Sequence, residues 1–424
     1  MIPPGSSIAV VGAGVAGITS AHLLQKHYRV TLIESETRLG GHTNTVTLPS
    51  GPDAGTPVDT GFIVLNDKNY PLLHRLLQRL NVPWRWSDMS FAYASTATGD
   101  CYCGDSLPGL FARRSNLLRP SHYLFIAGIL RFSRRALRDL ETEAIGDITL
   151  ADYLARVRCP EPVIRKFIIP MAAAIWSAPQ RDIQEFPAAT LLHFWRNHGL
   201  LSLKDRPVWQ TVVGGSSAYV HAFRKTFTGT LITSDPVVAI TRRPEAVDLR
   251  TQSGQALTFD AVILATHADQ ALRLLTDPTP QETNLLGPWR YQPNHTVLHT
   301  DTSFLPANPR AWASWNYVEH PGADPAAPVP VTYNMNRLQG FNTSATYCVT
   351  LNPTRPIPEA HHIASFNYTH PVYSREAVAT QPDLPSINGK QRTWFCGSYF
   401  GYGFHEDAVR SADHVAADFE AESL

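Results

Sequence analysis

Residues 8–45 of this 424-residue chain, IAVVGAGVAGITSAHLLQKHYRVTLIESETRLGGHTNT, constrain its fold more than any other stretch. Ile8–Val11 is a short apolar run of strand character that ends directly in Gly12-x-Gly14-x-x-Gly17. Ile18–Lys26 then reads as a helix, and Tyr28–Ile33 as a second apolar strand closing on Glu34. In such a strand–turn–helix–strand unit the glycines make the tight turn and let the backbone approach a pyrophosphate. The helix N-terminus adds free N–H groups and the positive end of its dipole. Glu34 follows Gly17 by seventeen residues, where a carboxylate can accept hydrogen bonds from a ribose diol. A glycine motif alone is weak evidence. With both strands, the helix and the acid in place, the unit specifies a dinucleotide site.

The next residues say which dinucleotide. Glu34-x-x-x-Arg38-x-Gly40-Gly41 resembles the extended fingerprint of the flavin amine oxidase and phytoene desaturase superfamily. There the Arg and the glycine pair hold the FAD pyrophosphate as the chain turns back beneath the cofactor, a turn that ordinary nicotinamide sites do not need. One position departs: many amine oxidases carry an Arg directly after the glycine pair, and here it is His42. Further stretches, GFIVLNDKNYP, VVGGSSAYV, ASFNYTHPVYS and GSYFGYGFHEDA, extend the resemblance through nearly the whole chain. Their wording is similar to the branch of NAD/FAD-binding oxidoreductases associated with cyclopropane-fatty-acid-synthase-like methyltransferases.

The resemblance implies an α/β, two-domain flavoprotein. A discontinuous Rossmann-like FAD-binding domain is expected from residues 1–75, 209–285 and 371–424, and an α+β substrate domain from 76–208 and 286–370. It implies an FAD held by Gly12, Gly14, Ala16, Gly17, Glu34, Ser35, Arg38, Gly40, Gly41 and His42. Thr60 and Gly61 are expected to pass close to the flavin ring, with Gly61 giving it room. Val238 is expected to meet the adenine through its backbone. Gly397, Gly403, Phe404 and His405 are expected at the flavin's pyrimidine end, where a strand running into a helix N-terminus can stabilise negative charge.

Composition narrows the partners. The 36 basic and 36 acidic residues cancel, so no global charge points to nucleic acid. The five cysteines, Cys101, Cys103, Cys159, Cys348 and Cys396, are scattered and show no paired CxxC motifs, which argues against a zinc site or a disulfide framework. The first strand begins by residue 8, leaving no room for a secretory leader, and the expected location is cytoplasmic. Apolar runs such as Tyr123–Leu130 fall far short of the roughly 20 residues that span a bilayer. The segment from Arg113 to Arg138 is basic around that run, and it reads either as a peripheral membrane contact or as a solvated helix face.

Elsewhere the spacing predicts helices over Tyr70–Leu80, within Arg113–Glu143, and over Leu150–Val157 and Ala188–His198. Trp84–Tyr93 reads as an aromatic strand-like segment, and Ile168–Ser177 as a substrate-channel lining or a buried core helix. Leu231–Ile240 and Phe259–Ala265 read as strands, the second a buried parallel one, and the pieces between Tyr291 and Thr350 as the sheet of the substrate domain.

Three activities follow from the resemblance: dehydrogenation of a hydrophobic, unsaturated or methyl-branched fatty acyl substrate; amine oxidation; and a carotenoid- or porphyrinogen-type dehydrogenation or isomerisation. Amine oxidases of the superfamily usually place a Lys by the flavin after the adenine-contacting region, and no lysine occurs between Lys225 and Lys390. Cys396 is in the strand entering the last glycine motif and the segment upstream has no cysteine, so the FAD is expected to be noncovalent. His405 and Glu406 are the candidate catalytic bases, or else caps of the last helix. Phe404 would form one wall of an aromatic cage, with Tyr368 or Tyr373 as the other. No metal is implied.

Overall fold

In a computed structural model describing residues 2–322, 324 and 326–424, the first strand, Ser7–Val11, stands in the middle of a five-stranded parallel sheet. The strand order is Thr230–Ile232, Arg29–Ile33, Ser7–Val11, Ala261–Leu264, Thr393–Phe395. Residues Ile8–Val11 and Ala261–Leu264 of its central strands are apolar and buried, with Ile8↔Ala261 and Val11↔Leu264 in register. The following helix, Val15–Leu24, is buried on every side but His22, since it is packed between this sheet and the last helix, His405–Asp418. The two ends of the chain thus meet across one sheet.

A second sheet has seven strands, ordered His362–Val372, Arg290–His299, Cys348–Leu351, Val331–Asn334, Trp315–Glu319, Phe91–Ser95, Cys101–Cys103. It is antiparallel except where Trp315–Glu319 runs alongside Phe91–Ser95. Helices Pro120–Glu141, Leu150–Arg156, Ile169–Trp176 and Ala188–Asn197 supply much of the large core packed beside it.

Several boundaries differ from the sequence reading. The first helix starts at Val15 rather than Ile18, because Gly14 caps it directly at the end of the turn. The expected helix from Arg113 is broken: a 3-10 turn spans Arg114–Leu118 and the long helix begins at Pro120, where a missing N–H costs nothing. Leu231–Ile240 is two strands in two sheets, Thr230–Ile232 and Val237–Arg242, separated by Ser234 at φ 61° and by Pro236. The longest strand, His362–Val372, was visible only as a motif.

Gly61 has a different role from the one expected. A Cβ there would lie 2.0 Å from the His42 carbonyl oxygen, so its smallness serves the crossing of two backbones rather than clearance for a ring. That crossing is hydrogen-bonded, Phe62 N–H donating to the same carbonyl at 2.8 Å. Gly61→Ala should therefore lower stability by about 3 kcal/mol or more. Gly14→Ala, whose Cβ meets nothing within 4 Å, should lose far less. Thermal unfolding of the two variants checks both.

Candidate active site

A cavity of about 1530 Å³ opens between the sheets, walled by Val11 and Ile33 at the C-terminal ends of parallel strands and by Trp315, Tyr333 and Leu351 opposite. The two glycine turns form its floor, and they are joined: Gly40 N–H donates to the Ala13 carbonyl at 2.8 Å. Gly12, Gly14 and Ala16 line it from the first turn, and Arg38, Gly40, Gly41 and His42 from the second. Glu34 and Ser35 line one end, while Thr60, Gly61, Gly397, Gly403, Phe404 and His405 line the wall as well. Gly17 lies outside: a Cβ there would sit 1.8 Å from the Gly12 carbonyl, so it lets the helix close on the turn.

Two further expected residues are off the cavity. Val238 is exposed and off the wall, and Pro236 and Val237 line the cavity instead, because the strand's pairing shifts register between Val237 and Ala239. Glu406 also misses the cavity. Its buried carboxylate accepts the N–H groups of Leu72 at 3.0 Å and Leu73 at 2.9 Å, capping the Pro71–Arg79 helix, so it is not placed to act as a base.

Local bonds set the remaining side chains. Glu34 accepts from Ala13 N–H at 2.7 Å and Glu36 N–H at 3.0 Å. Arg38 donates to the Thr43 carbonyl at 3.1 Å. Asp59, fully buried, accepts from Thr45 Oγ1 at 2.6 Å, Ser216 N–H at 2.8 Å and Gln339 Nε2 at 2.9 Å, which holds the strand that delivers Thr60. Thr60 Oγ1 and Asn44 Nδ2 both meet the Tyr368 hydroxyl, at 2.7 and 2.8 Å.

His405 stacks on Phe62 with ring centroids 3.7 Å apart, its Nε2 3.0 Å from Thr43 Oγ1. Burial, followed by the neighbouring His42, pushes its pKa down to about 3. His42 has His370 at 5.2 Å and His267 at 6.1 Å, and its buried Nε2 has no partner among the described residues. Burial brings His42 and His267 down to about 4 and His370 to about 3. His370 and Tyr291 were not singled out in the sequence. They meet the site because Tyr291 pairs with Pro371 and Gln292 with His370 across the two longest strands.

The other half of the cavity is apolar. Ile126 and Ile129 of the Pro120–Glu141 helix, Phe167, and Met171 and Ile175 of the next long helix line it. Within the run Ile168–Ser177, Met171 and Ile175 reach the cavity while Ile168 and Ala172–Ala174 face the core. Phe404 packs on Phe194 at 4.7 Å, while the Tyr373 hydroxyl donates to the Gly401 carbonyl at 2.9 Å. No lysine lines the cavity among the described residues. Its two carboxylates here, Asp88 and Asp105, are both held by Arg337, at 2.6 and 2.9 Å. Arg206, on the same wall, donates through Nε to the Ser202 carbonyl at 2.8 Å, and burial lowers its pKa.

A model of flavin containing amine oxidoreductases matches residues 15–337, about three quarters of the chain. The chain belongs to that family. The carotenoid phi-ring synthase of Streptomyces griseus is 26% identical over 321 residues, 70% of this chain and 58% of that protein. The chain thus spans less than two thirds of this relative's length. Among solved structures, a putrescine oxidase with putrescine bound superposes with a TM-score of 0.70 at 14% identity, covering 98% of this chain and 99% of that one. A fatty acid isomerase from P. acnes that produces CLA gives 0.67 at 16% identity, covering 98% and 99%. Cyclohexylamine oxidase from Brevibacterium oxydans gives 0.67 at 16%, covering 98% and 100%. These likenesses establish the two-domain fold.

The protein is an FAD-dependent oxidoreductase, and its cavity fits that cofactor. Space is left open above Gly14, where a Cβ would meet nothing, and Gly41 lies against it with a would-be Cβ 3.3 Å from the Gly14 Cα. Glu34 would hold the ribose, and Gly14, Arg38 and the Val15–Leu24 helix N-terminus the pyrophosphate. Cys396 is buried away from the cavity beside Ser20 Oγ, its thiol pushed up to about 12 by burial.

Purified protein should therefore release its yellow colour to the supernatant on acid precipitation; colour in the pellet would contradict noncovalent binding. Gly14→Val and Glu34→Ala should lose at least tenfold in FAD affinity and His405→Ala much less, read as occupancy after dialysis. Equal occupancy in the three variants would remove the phosphate-cradle argument. The cavity histidines have a reference pKa of 6.5 and fall to about 3–4 in the fold. The unfolded chain thus binds more protons below that reference, and the stability these groups contribute is complete above about pH 6.5 and lost as pH falls toward 4. The thermal midpoint should fall between about pH 7 and 5, and fall less in His42→Gln/His370→Gln.

Proposed function

We propose that this oxidoreductase dehydrogenates a long, unsaturated or methyl-branched acyl chain. The observation that carries the reading is the lining of the substrate half: apolar walls, no lysine among the described residues, and both carboxylates already paired with Arg337. An ammonium substrate would find no free carboxylate there, whereas an apolar chain gains from the dry walls of Ile126, Ile129, Phe167, Met171 and Ile175. The fatty acid and carotenoid chemistries named for two of the similar proteins support the same class. Bound FAD supplies the two-electron acceptor that takes a hydride from an activated C–H.

The chain's part is to orient and to exclude water. The Phe404–Phe194 pair sets one wall, and the Met171/Ile175 face sets a slot against which an extended chain is held. His405 is the one of the two base candidates that reaches the cavity. Held neutral, it is always in the acceptor form but weakly basic, so His405→Ala should slow flavin reduction by roughly tenfold rather than abolish it. No helix is long and apolar enough to cross a membrane among the described residues. A cytoplasmic protein meeting membranes peripherally through Arg113–Arg138 is consistent with this reading.

Anaerobic addition of long unsaturated or methyl-branched acyl lipids should bleach the flavin absorbance band, and primary amines or polyamines should not. Bleaching by an amine and by no lipid would reverse the assignment. A shifted double bond in the recovered lipid, with no net flavin reduction, would assign isomerisation instead.

A further inference from the structure

We propose that the mouth of the cavity is a docking face for an anionic phospholipid bilayer. Ten large apolar side chains of the described residues are exposed, and all but Val213 and Val238 belong to this one region. Trp86, Leu107, Leu203 and Val208 line the cavity itself, Leu107 being 73% and Leu203 74% exposed. The other four, Leu117, Leu118, Tyr123 and Leu124, are on the 3-10 turn and the first turns of the Pro120–Glu141 helix.

Contacts tie these pieces into one rim. Tyr123 packs on Phe111 at 5.6 Å, and His122 Nε2 lies 2.9 Å from the carbonyl of Leu110, a cavity residue. Across the opening, Arg337 joins Asp105 to Asp88, and Ser87 N–H donates to the Trp209 carbonyl at 2.9 Å beside Val208. Exposed apolar residues scattered singly need no explanation, but a contiguous group around a cavity mouth marks an interaction surface.

Charge identifies what covers it. The exposed stripe of the long helix reads Leu124, Ala127, Arg131, Arg134, Arg138, apolar beside the mouth and basic beyond it. Of Arg114, Arg119, Arg131, Arg134, Arg135 and Arg138, one forms an ion pair among the described residues, Arg135 with Asp139 at 2.8 Å. The acidic side chains Asp88, Asp105 and Asp205 at the rim are each held in an ion pair, the first two by Arg337 and the third by Lys68. A shallow concavity of about 370 Å³ walled by Arg131, Arg134, Arg135 and Arg138 is of a size and charge to seat phosphate head groups. Since the whole chain has no net charge, this basic stripe is a local feature. Apolar side chains entering the acyl boundary, with arginines at head-group level beside them, is the pattern of an interfacial contact. The Arg113–Arg138 segment thus inserts through its apolar N-terminal part, and a lipid-borne chain enters the cavity without crossing water. That last step rests on the acyl reading above; the docking itself does not.

The test is co-sedimentation of the FAD-loaded protein with phosphatidylglycerol/phosphatidylcholine vesicles and with pure phosphatidylcholine vesicles. Salt-sensitive binding to the anionic vesicles is expected. It should weaken at least tenfold in Leu118→Glu/Leu124→Glu and in Arg134→Glu/Arg138→Glu, and not in Val213→Glu; the flavin spectrum verifies folding of each. Absence of wild-type binding, equal binding by the Leu118/Leu124 variant, or loss of self-association in that variant in place of vesicle binding would overturn the proposal. Vesicle binding with no flavin reduction by any acyl chain would defeat the proposed activity alone. Reduction by micellar lipid without vesicle binding would defeat the docking alone.

Discussion

The hydrogen bond from Gly40 N–H to the Ala13 carbonyl, 2.8 Å long, joins the two glycine turns, and the site is built outward from that junction. Side chains on the second turn would crowd this junction. Gly40 is at φ 114° with a would-be Cβ 2.5 Å from the Thr43 carbonyl, and Gly41 is pressed against Gly14. The same economy recurs where Gly61 crosses His42 and Gly17 meets Gly12. Backbone is therefore brought against backbone at the floor of the cavity, which leaves room above Gly14 and directs the free N–H groups of the first helix into it.

On this floor stand two electrostatically different halves. The cofactor half holds Glu34 and Arg38 within a lattice of backbone bonds, and its histidines are kept uncharged by burial. The apolar half has two carboxylates, Asp88 and Asp105, both paired with Arg337 from a short helix after the Val331–Asn334 strand. Desolvation explains both, since an unpaired charge in such a cavity would cost more than the fold can spare.

The seven-stranded sheet matters because it brings distant segments to one wall. Arg290–His299 pairs with His362–Val372 over its full length, and that pairing sets His370 near His42 and Tyr291 against His267. The parallel contact of Phe91–Ser95 with Trp315–Glu319 lays the segment after Trp86 along the opposite edge, next to the rim. Segments from both ends of this sheet thereby line one continuous cavity.

What the sequence by itself determined is local backbone. Gly12, Gly14, Gly40 and Gly41, with Glu34 and Arg38, were legible because a turn of given φ and a strand-capping acid depend on near neighbours. The apolar run Ile168–Ser177 was legible for its burial, though not for which face reached the cavity. Tertiary structure alone decided where long-range partners intervene. Glu406 was drawn to the Leu72 and Leu73 N–H groups, more than three hundred residues away in sequence. A register shift put Val237 rather than Val238 on the cavity wall. Arg337 was drawn to Asp88 and Asp105, more than two hundred residues away in sequence. A side chain's chemistry is set by what surrounds it in three dimensions, and no spacing along the chain encodes that company.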